Sequence, residues 1–441
     1  MRMLLRMMSI VAAAVLALAA CAFAEAGGCK NPLTHPDTIT EYIDLPHHTV
    51  NILLLGIDFG HNGYWGSGGK KSLEDCHTDA VMVIAVNLDE IKADFISLPR
   101  DTLTYVPGVK GIYKLNAAVN CGNGSMEDGL QKACDAASWV LGGIKIDYYF
   151  AVDMNAMAAL GDAIGGVDFE LEMSYTGHSG RKYYKGLRHL DGVGITDYMR
   201  SRTNATVNAN DIGRTGRQRE LMMAILKKLK EDKDLLLTAF KTARGLQDSF
   251  FTNITGAVAT DFLPLLPVFL NMDEQSAGSH VITGRYRTAL QGWNFTFTDQ
   301  GHRREVIKNV YGVEVPELKY VSLEYTKWLM EHGFPVVRYL SVAERLRGEI
   351  NAFDEAAMSA GQKEALAAFD FCCVQAMEAF DAAADSMSDG DTKAMAAAGK
   401  ELRKRGDALY ELFGGVGKPV WSTGKYWYAD RMINQIDVNF R

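Results

Sequence analysis

The sequence predicts an α/β fold, a three-layer α/β/α sandwich with a central mixed sheet, followed by a helical C-terminal extension. Three observations predict it. Val50–Ile57 and Ala80–Val86 are nearly continuous apolar runs, and Ala93–Leu98 is a shorter third. Continuous rather than alternating apolar strands are buried on both faces, so helices must cover the sheet on each side. Stretches with helical spacing follow, and from about residue 313 the chain turns rich in alanine, methionine and charge.

At 441 residues the chain holds two or three domains. With 48% hydrophobic and 23% charged residues, it is not a disordered chain, a collagen-like fibre or a multi-span membrane protein. The net charge of −8 excludes a general nucleic-acid binder, which shows a basic excess.

Taken in order, Arg2 and Arg6 precede an uninterrupted apolar stretch, Met7 to Ala24, in the order of an export signal. Leu18-Ala19-Ala20-Cys21 resembles a lipoprotein lipobox, with lipidation at Cys21, while Ala22-Phe23-Ala24 is an ordinary cleavage site. Lipid anchor, simple cleavage and uncleaved anchor all remain open; each puts the protein outside the cytoplasm, and a lipid or helix anchor would hold it at the outer face of the cell membrane. Residues 25–48, with Pro32, Pro36 and Pro46, read as a tether. Residues 49–312 form the main domain. Its predicted helices are 126–141, 155–164, 192–202, 214–231 and 233–247, with further strands at Tyr148–Val152 and Val167–Leu171. Residues 313–441 form the helical region, in which Leu340–Phe413 reads as a hairpin broken at Ser386–Asp391. The tail, with Trp421, Tyr426, Trp427 and Tyr428, is either a short strand or packs back on those helices.

Setting Cys21 aside, six cysteines remain, which permits 15 pairings in an oxidising compartment. Cys121–Cys134 is the preferred pair; the vicinal Cys372 and Cys373 are free or paired elsewhere, since adjacent cysteines bridge only with strain. No Cys/His spacing suggests zinc, and His47-His48 reads as a solvated linker pair.

Candidate site residues lie at strand ends, where α/β sheets place their sites. Asp58 ends the first strand and Asp79 stands at the start of the second. On antiparallel neighbours the two carboxylates meet at one edge and suit a hard ion such as Mg²⁺, with Mn²⁺ accepting the same oxygen ligands. The plain alternative is a pair of strand caps. Arg100-Asp101 follows the third strand and could equally be a surface ion pair in a turn. Arg200, Arg202, Arg214, Arg217 and Arg219 form a dense cationic cluster in an acidic protein. Arg214 and Gln218, at i,i+4, share a helix face, and Asp211 would cap that helix. Arginine forks beside a helix N-terminus suit a phosphate or pyrophosphate; otherwise they make a solvated basic face. Gly63–Gly69 is glycine-rich but lacks the Gly-Lys-Ser/Thr ending of a nucleotide P-loop.

These residues, in order, resemble the LytR-CpsA-Psr (LCP) family of bacterial cell-envelope proteins. The likeness runs over about residues 49–235, through Asn51–Asp58, Thr78-Asp79, Ile96–Thr102, Lys114–Ala118, Ile146–Tyr149, Leu160–Asp168, Leu190–Gly192, Tyr198–Arg202 and Asp211–Arg214. The resemblance implies transfer of a glycopolymer, such as teichoic acid or capsule, from an undecaprenyl-pyrophosphate carrier to peptidoglycan outside the membrane. It implies that Asp58 and Asp79 hold Mg²⁺, and that Arg100, Arg200, Arg202, Arg214 and Gln218 grip the pyrophosphate. An apolar tunnel would hold the prenyl chain. Asp101 matches an aspartate that supports the arginines or acts as base, and Arg100, Asp101, Arg202 and Asp211 make up the implied catalytic set. The chain departs from the family pattern at Phe59-Gly60 and at His77, where arginines are usual, and Thr203–Asn210 is longer than the pattern.

Two other functions use the same residues. One is hydrolysis of the polyprenyl pyrophosphate, with water as acceptor; the other is a non-catalytic polyprenyl-phosphate or cell-wall binding protein, to which His77 and Gly60 point.

Overall fold

The computed structural model describes residues 41–58, 76–109, 113–201, 211–246, 249–254, 277–289, 293–318, 321–414, 419 and 421. The export signal with Cys21, most of the tether, Gly63–Gly69, Arg202 and the aromatic tail beyond Trp421 lie outside them. The chain divides into two compact units between Leu318 and Lys319.

In the larger unit, six strands form one mixed sheet: β1 (Thr49–Ile57), β2 (Thr78–Asn87), β3 (Lys92–Ser97), β4 (Tyr148–Val152), β5 (Phe250–Thr252) and β6 (Ala277–Val281), in the order β5-β4-β1-β2-β3-β6. β1 runs antiparallel to β2 and parallel to β4, and β3 is antiparallel to β2. The helices are α1 (Met126–Val140), α2 (Met154–Ala163), α3 (Gly192–Arg200), α4 (Asp211–Glu231), α5 (Lys233–Gly245) and α6 (Gln300–Tyr311). Several begin on a side-chain cap that the sequence supplies. Ser125 accepts from the Asp128 amide, Asp153 from Ala156, Asp191 from Gly194 and Asp299 from His302. Each such cap stabilises its helix by about 1 kcal/mol.

Alternate residues of the same strands face opposite layers. Leu53, Leu55, Val81 and Val83 pack against Leu130 and Ala137 of α1 and Val306 and Ile307 of α6. Ile52, Met82 and Phe95 face the other way, toward Met223 and Leu226 of α4. The first face is closed, and each of its fully buried aliphatic side chains contributes roughly 1.5–3 kcal/mol. On the second face Leu54, Ile84 and Phe150 are only partly buried. The expected three-layer sandwich is therefore present, with one tight interface and one loose one.

Three expectations change. Val167–Leu171 is a strand but stays outside the central sheet, paired antiparallel with Gly186–Leu190. Its Asp168 and Glu170 are exposed while Val167 and Leu171 are buried, the alternation of a one-sided surface hairpin. Cys121 and Cys134 are not disulfide-bonded. Cys134 points from α1 into the sheet-facing core, whereas the Cys121 thiol is directed to its own turn, at 3.7 Å from the Ala117 carbonyl. The third change concerns the predicted helix 192–202, which stops at Arg200.

The smaller unit is helical: α7 (Leu323–Trp328), a π-helical turn (Leu329–Gly333), α8 (Phe334–Ile350), α9 (Ala360–Ser386) and α10 (Asp389–Leu412). The break expected at Ser386–Asp391 is there, made by Met387 at φ 48° and by Ser388, which caps α10. A second break separates α8 from α9, where Ser359 and Gln362 form a capping box. Leu340, Phe369, Phe380, Leu402 and Leu409 are buried between these helices. Cys372 is a free buried thiol and Cys373 is disulfide-bonded, so the vicinal pair does not bridge itself. Trp421 packs back on α10, its indole N–H donating to Asp407 at 2.6 Å. Among the described residues no helix is long and apolar enough to cross a membrane.

Candidate active site

β1, β3 and β4 run in the same direction, so their C-terminal ends meet at one edge of the sheet, together with the start of the antiparallel β2. Asp58, Arg100 and Asp153 follow those three ends, and Asp79 lies in the first residues of β2. The β1–β2 register shifts between Gly56 and Ile57. That bulge sets Asp58 beside His77: the Asp58 amide donates to the His77 carbonyl at 3.0 Å, and the His77 amide donates back to the Asp58 carboxylate. His77 thus positions the first aspartate through its backbone, a role that its side-chain departure from the family pattern leaves intact.

Arg100 donates to the Asp79 carboxylate, and both side chains are largely buried, 19% and 27% exposed. Asp101, buried beside them, accepts from Lys114 Nζ at 3.0 Å and lies 3.8 Å from Arg100 Nε. Lys114 in turn sits 5.2 Å from the ring centre of Phe295. The Arg100 carbonyl accepts from the Asn116 amide at 2.9 Å, and the Asp101 carbonyl from Thr296 at 2.8 Å. Arg100-Asp101 is therefore a buried, cross-braced pair rather than a surface turn. Of the two roles implied for Asp101, support of the arginine matches this geometry. Lys114 had no role in the sequence reading. Its segment, Lys114–Ala118, was visible as a motif, but nothing in that motif says which carboxylate the ammonium meets.

Two cavities adjoin at this edge. The more polar one, of about 250 Å³, is lined in part by Asp79, Asp153, His178, Thr196 and Arg200. An apolar one, of about 340 Å³, lies between the loose face of the sheet and helices α2 to α5, lined by residues such as Leu54, Ile84, Phe150, Leu160 and Ile225. Gly56, Ala80, Val152, Met157 and Met199 line both. A volume of that size falls in the range of small-molecule sites. An apolar space that opens onto charged side chains suits a ligand with an apolar part and a charged head.

Arg200, the last residue of α3, shares the polar cavity with Asp79. Arg217 on α4 donates from Nη2 to the Ser201 carbonyl at 3.0 Å. Asp211, Arg214 and Gln218 lie in the first two turns of α4, Arg214 and Gln218 one turn apart. Asp211 is itself the first helical residue, so it belongs to the first turn and not to the preceding cap. The side chains of these three residues, and all of Arg202, lie outside what the structure describes.

Asp58 and Asp79 offer a hard divalent ion two carboxylates at the end of adjacent strands; among the described residues no cluster of three or more metal-ligating side chains exists. That donor set fits Mg²⁺, which is commonly held by one or two carboxylates and takes its other ligands from water and substrate phosphate.

Against known proteins, the model of the LytR_cpsA_psr family matches residues 26–311. The polyisoprenyl-teichoic acid–peptidoglycan teichoic acid transferase TagU of Bacillus mycoides is 31% identical over 179 residues, 41% of this chain and 52% of that protein. The protein of the same description from Halalkalibacterium halodurans is 28% identical over 254 residues, 56% of this chain and 72% of that one. Among solved structures, Bacillus subtilis TagV aligns with a TM-score of 0.47 at 21% identity, over 60% of this chain and 97% of that one. The match thus spans about half the length of the Bacillus relatives.

Proposed function

Because the chain belongs to the LytR_cpsA_psr family, we propose that it transfers a glycopolymer from a polyprenyl-pyrophosphate carrier to peptidoglycan, on the outer side of the cytoplasmic membrane. The observation that carries this reading is the junction of an apolar cavity with a cavity holding Asp79 and Arg200, with Gly56 and Ala80 lining both. The prenyl chain would occupy the space between Leu54, Ile84, Phe150 and the helices, leaving the pyrophosphate at the sheet edge. Arg200 and Arg100 would take the phosphates, and Asp101 with Lys114 would hold Arg100 in place. Charge grows on the leaving phosphate as the bond breaks, and fixed cations aimed at that charge are the largest effect available to such a transfer.

Asp58 and Asp79 would hold Mg²⁺, which supplies charge neutralisation at the pyrophosphate when bound. Asp79 would then be shared between the ion and Arg100. The N-terminal segment would keep the protein at the membrane, where the carrier resides.

The test uses the full chain in detergent with a labelled polyprenyl-pyrophosphate glycan, Mg²⁺ and peptidoglycan oligomers, beside Arg100→Ala. Label covalently joined to peptidoglycan, lost in the variant and on chelation, is the expected result. Lipid that is bound but neither transferred nor hydrolysed would make the protein a binding relative. Release of glycan phosphate without peptidoglycan would make water its acceptor.

A further inference from the structure

We infer that His178 is the proton acceptor for the incoming hydroxyl, held over the polar cavity by a clamp on Asp197; this rests on the transfer reading above. His178 lies in the turn between two short strands, Tyr175-Thr176 and Lys182-Tyr183, that form a hairpin outside the central sheet. The residues on either side of it are pinned to α3. Asp197, fully buried on that helix, accepts from the Ser179 amide at 3.0 Å, from the Ser179 hydroxyl, and from the Tyr183 hydroxyl at 3.0 Å. On the other side is Gly177, where a Cβ would fall 2.2 Å from the Asp197 carboxylate, so only glycine permits the approach. The turn itself is closed by Gly180 donating to the Gly177 carbonyl at 3.0 Å and Gly177 to the Arg181 carbonyl at 2.8 Å. With its neighbours fixed inward, His178 lines the polar cavity while remaining exposed to solvent.

The same helix delivers both partners. Asp197, which fixes the turn, lies one turn before Arg200, and Thr196 and Arg200 line the cavity with His178. A phosphate held by Arg200 would therefore face an imidazole whose position is referenced to the same α3 backbone.

Three described side chains of that cavity can take up a proton: Asp79, Asp153 and His178. Asp79 is ion-paired to Arg100, and Asp153 is buried and caps α2 through the Ala156 amide at 2.7 Å. Among the described residues, Asp79, Asp153 and Arg200 share the cavity with His178, Asp197 and Tyr198 lie on α3, and Tyr175, Arg181, Lys182 and Tyr183 belong to its own hairpin. Burial, and then Asp197, push the Tyr183 hydroxyl up to about 12, so it stays a neutral donor to the clamp. An imidazole is the side chain suited to general-base work near neutral pH. In the step proposed, the acceptor hydroxyl oxygen bonds to the glycan-bearing phosphorus and its proton passes to His178. The bridging P–O bond breaks, and its electron pair leaves on the prenyl phosphate.

The experiment compares the full chain with His178→Ala, His178→Gln and Asp197→Asn, measuring glycan transfer and carrier binding, with and without added imidazole. Loss of a positioned general base costs about 10²-fold or more. His178→Ala should lose about that much in kcat with carrier KM changed less than threefold, and free imidazole should restore at least tenfold. His178→Gln should be equally slow, and Asp197→Asn should be intermediate and not respond to imidazole. A merely structural residue would show no chemical rescue. Activity of His178→Ala within threefold of the parent, or a loss that imidazole leaves untouched, overturns the assignment while transfer stands. If the parent itself neither transfers nor hydrolyses the carrier, both readings fall.

Discussion

Gly56 stands where the two cavities meet, opposite Ala80 across the β1–β2 ladder. A side chain there would narrow the joint between head and tail of the ligand. A Cβ built at Gly56 lies 3.2 Å from the Ala80 Cβ, a contact that a small strand shift relieves. Gly56→Val should therefore cost the fold only about 1 kcal/mol, with the β-branched side chain suited to a strand. Its effect on a long lipid should be much larger. The apolar cavity is about 340 Å³; at roughly 30 Å³ per group it holds about eleven methylene-sized groups. At about 0.8 kcal/mol per methylene, full occupancy is worth up to about 9 kcal/mol. Losing a third of that removes about 3 kcal/mol, or roughly 100-fold in Kd. The assay is a titration of the variant and its parent, with lipid supplied from water, using a long-chain polyprenyl pyrophosphate and a short methyl pyrophosphate that has a head but no tail, at fixed Mg²⁺. The expected result is a long-chain affinity that collapses toward that of the short one, with the short one nearly unchanged. Equal losses for both ligands, or none for either, would refute the claim that the tail crosses this joint.

Other predictions concern the braces. Lys114→Ala leaves the Asp101 carboxylate without its closest cation; because the pair is mostly buried, the cost should be about 3 kcal/mol, read as a lower urea midpoint. At the opposite end of β3, burial raises the Asp94 carboxyl, but hydrogen bonds from His280 and Lys92 outweigh it and hold the group below its ordinary range. A depressed folded value means stability that is full above the unfolded value and lost as pH falls through the folded one. Asp94→Asn should thus melt lower than the parent at neutral pH, by about 1–3 kcal/mol, with the gap closing in the acid range; a gap that does not change with pH would count against the bridge. Cys134, buried with its thiol pushed up first by burial and then by Asp135, should resist thiol reagents in the native protein. Both Cys121 and Cys134 should label after unfolding without reductant, and a missing pair of labels would restore the disulfide.

The central sheet was legible where burial on two faces forces an unbroken apolar run, as in β1 and β2. It was not legible in β5, three residues long, nor in β6, whose Ala-Gly-Ser-His-Val carries almost no apolar signal. Those strands take their place from neighbours already formed, β4 and β3. Asp58, Asp79 and Arg100 could be read because strand ends are marked in the sequence. Lys114 and His178 could not, since short antiparallel strand pairs outside the central sheet carry them to the site and no spacing encodes that journey. The Cys121–Cys134 pairing failed for a related reason: a short separation along the chain does not make two side chains converge. Gly177 carried the one available hint of the clamp, a small residue between polar ones, but only Asp197 explains it.

The unequal packing of the two sheet faces has a thermodynamic consequence. The face toward α1 and α6 is complete from the protein's own side chains, while the face toward α4 leaves Leu54, Ile84 and Phe150 with fewer neighbours. Any molecule that binds the folded chain and not the unfolded one raises its melting temperature by mass action. Heat resistance of this protein should then report occupancy, rising with carrier and also with detergents whose tails fit the same space. With a prenyl carrier as proposed, the bilayer would be a competitor as well as a source, because the tail would leave lipid of nearly equal apolarity to enter the fold. For carrier drawn from a bilayer, unlike lipid taken from water, net affinity would therefore come mainly from the head group, and the exchange of spent for fresh carrier would depend on the small chemical difference between a monophosphate and a glycosylated pyrophosphate.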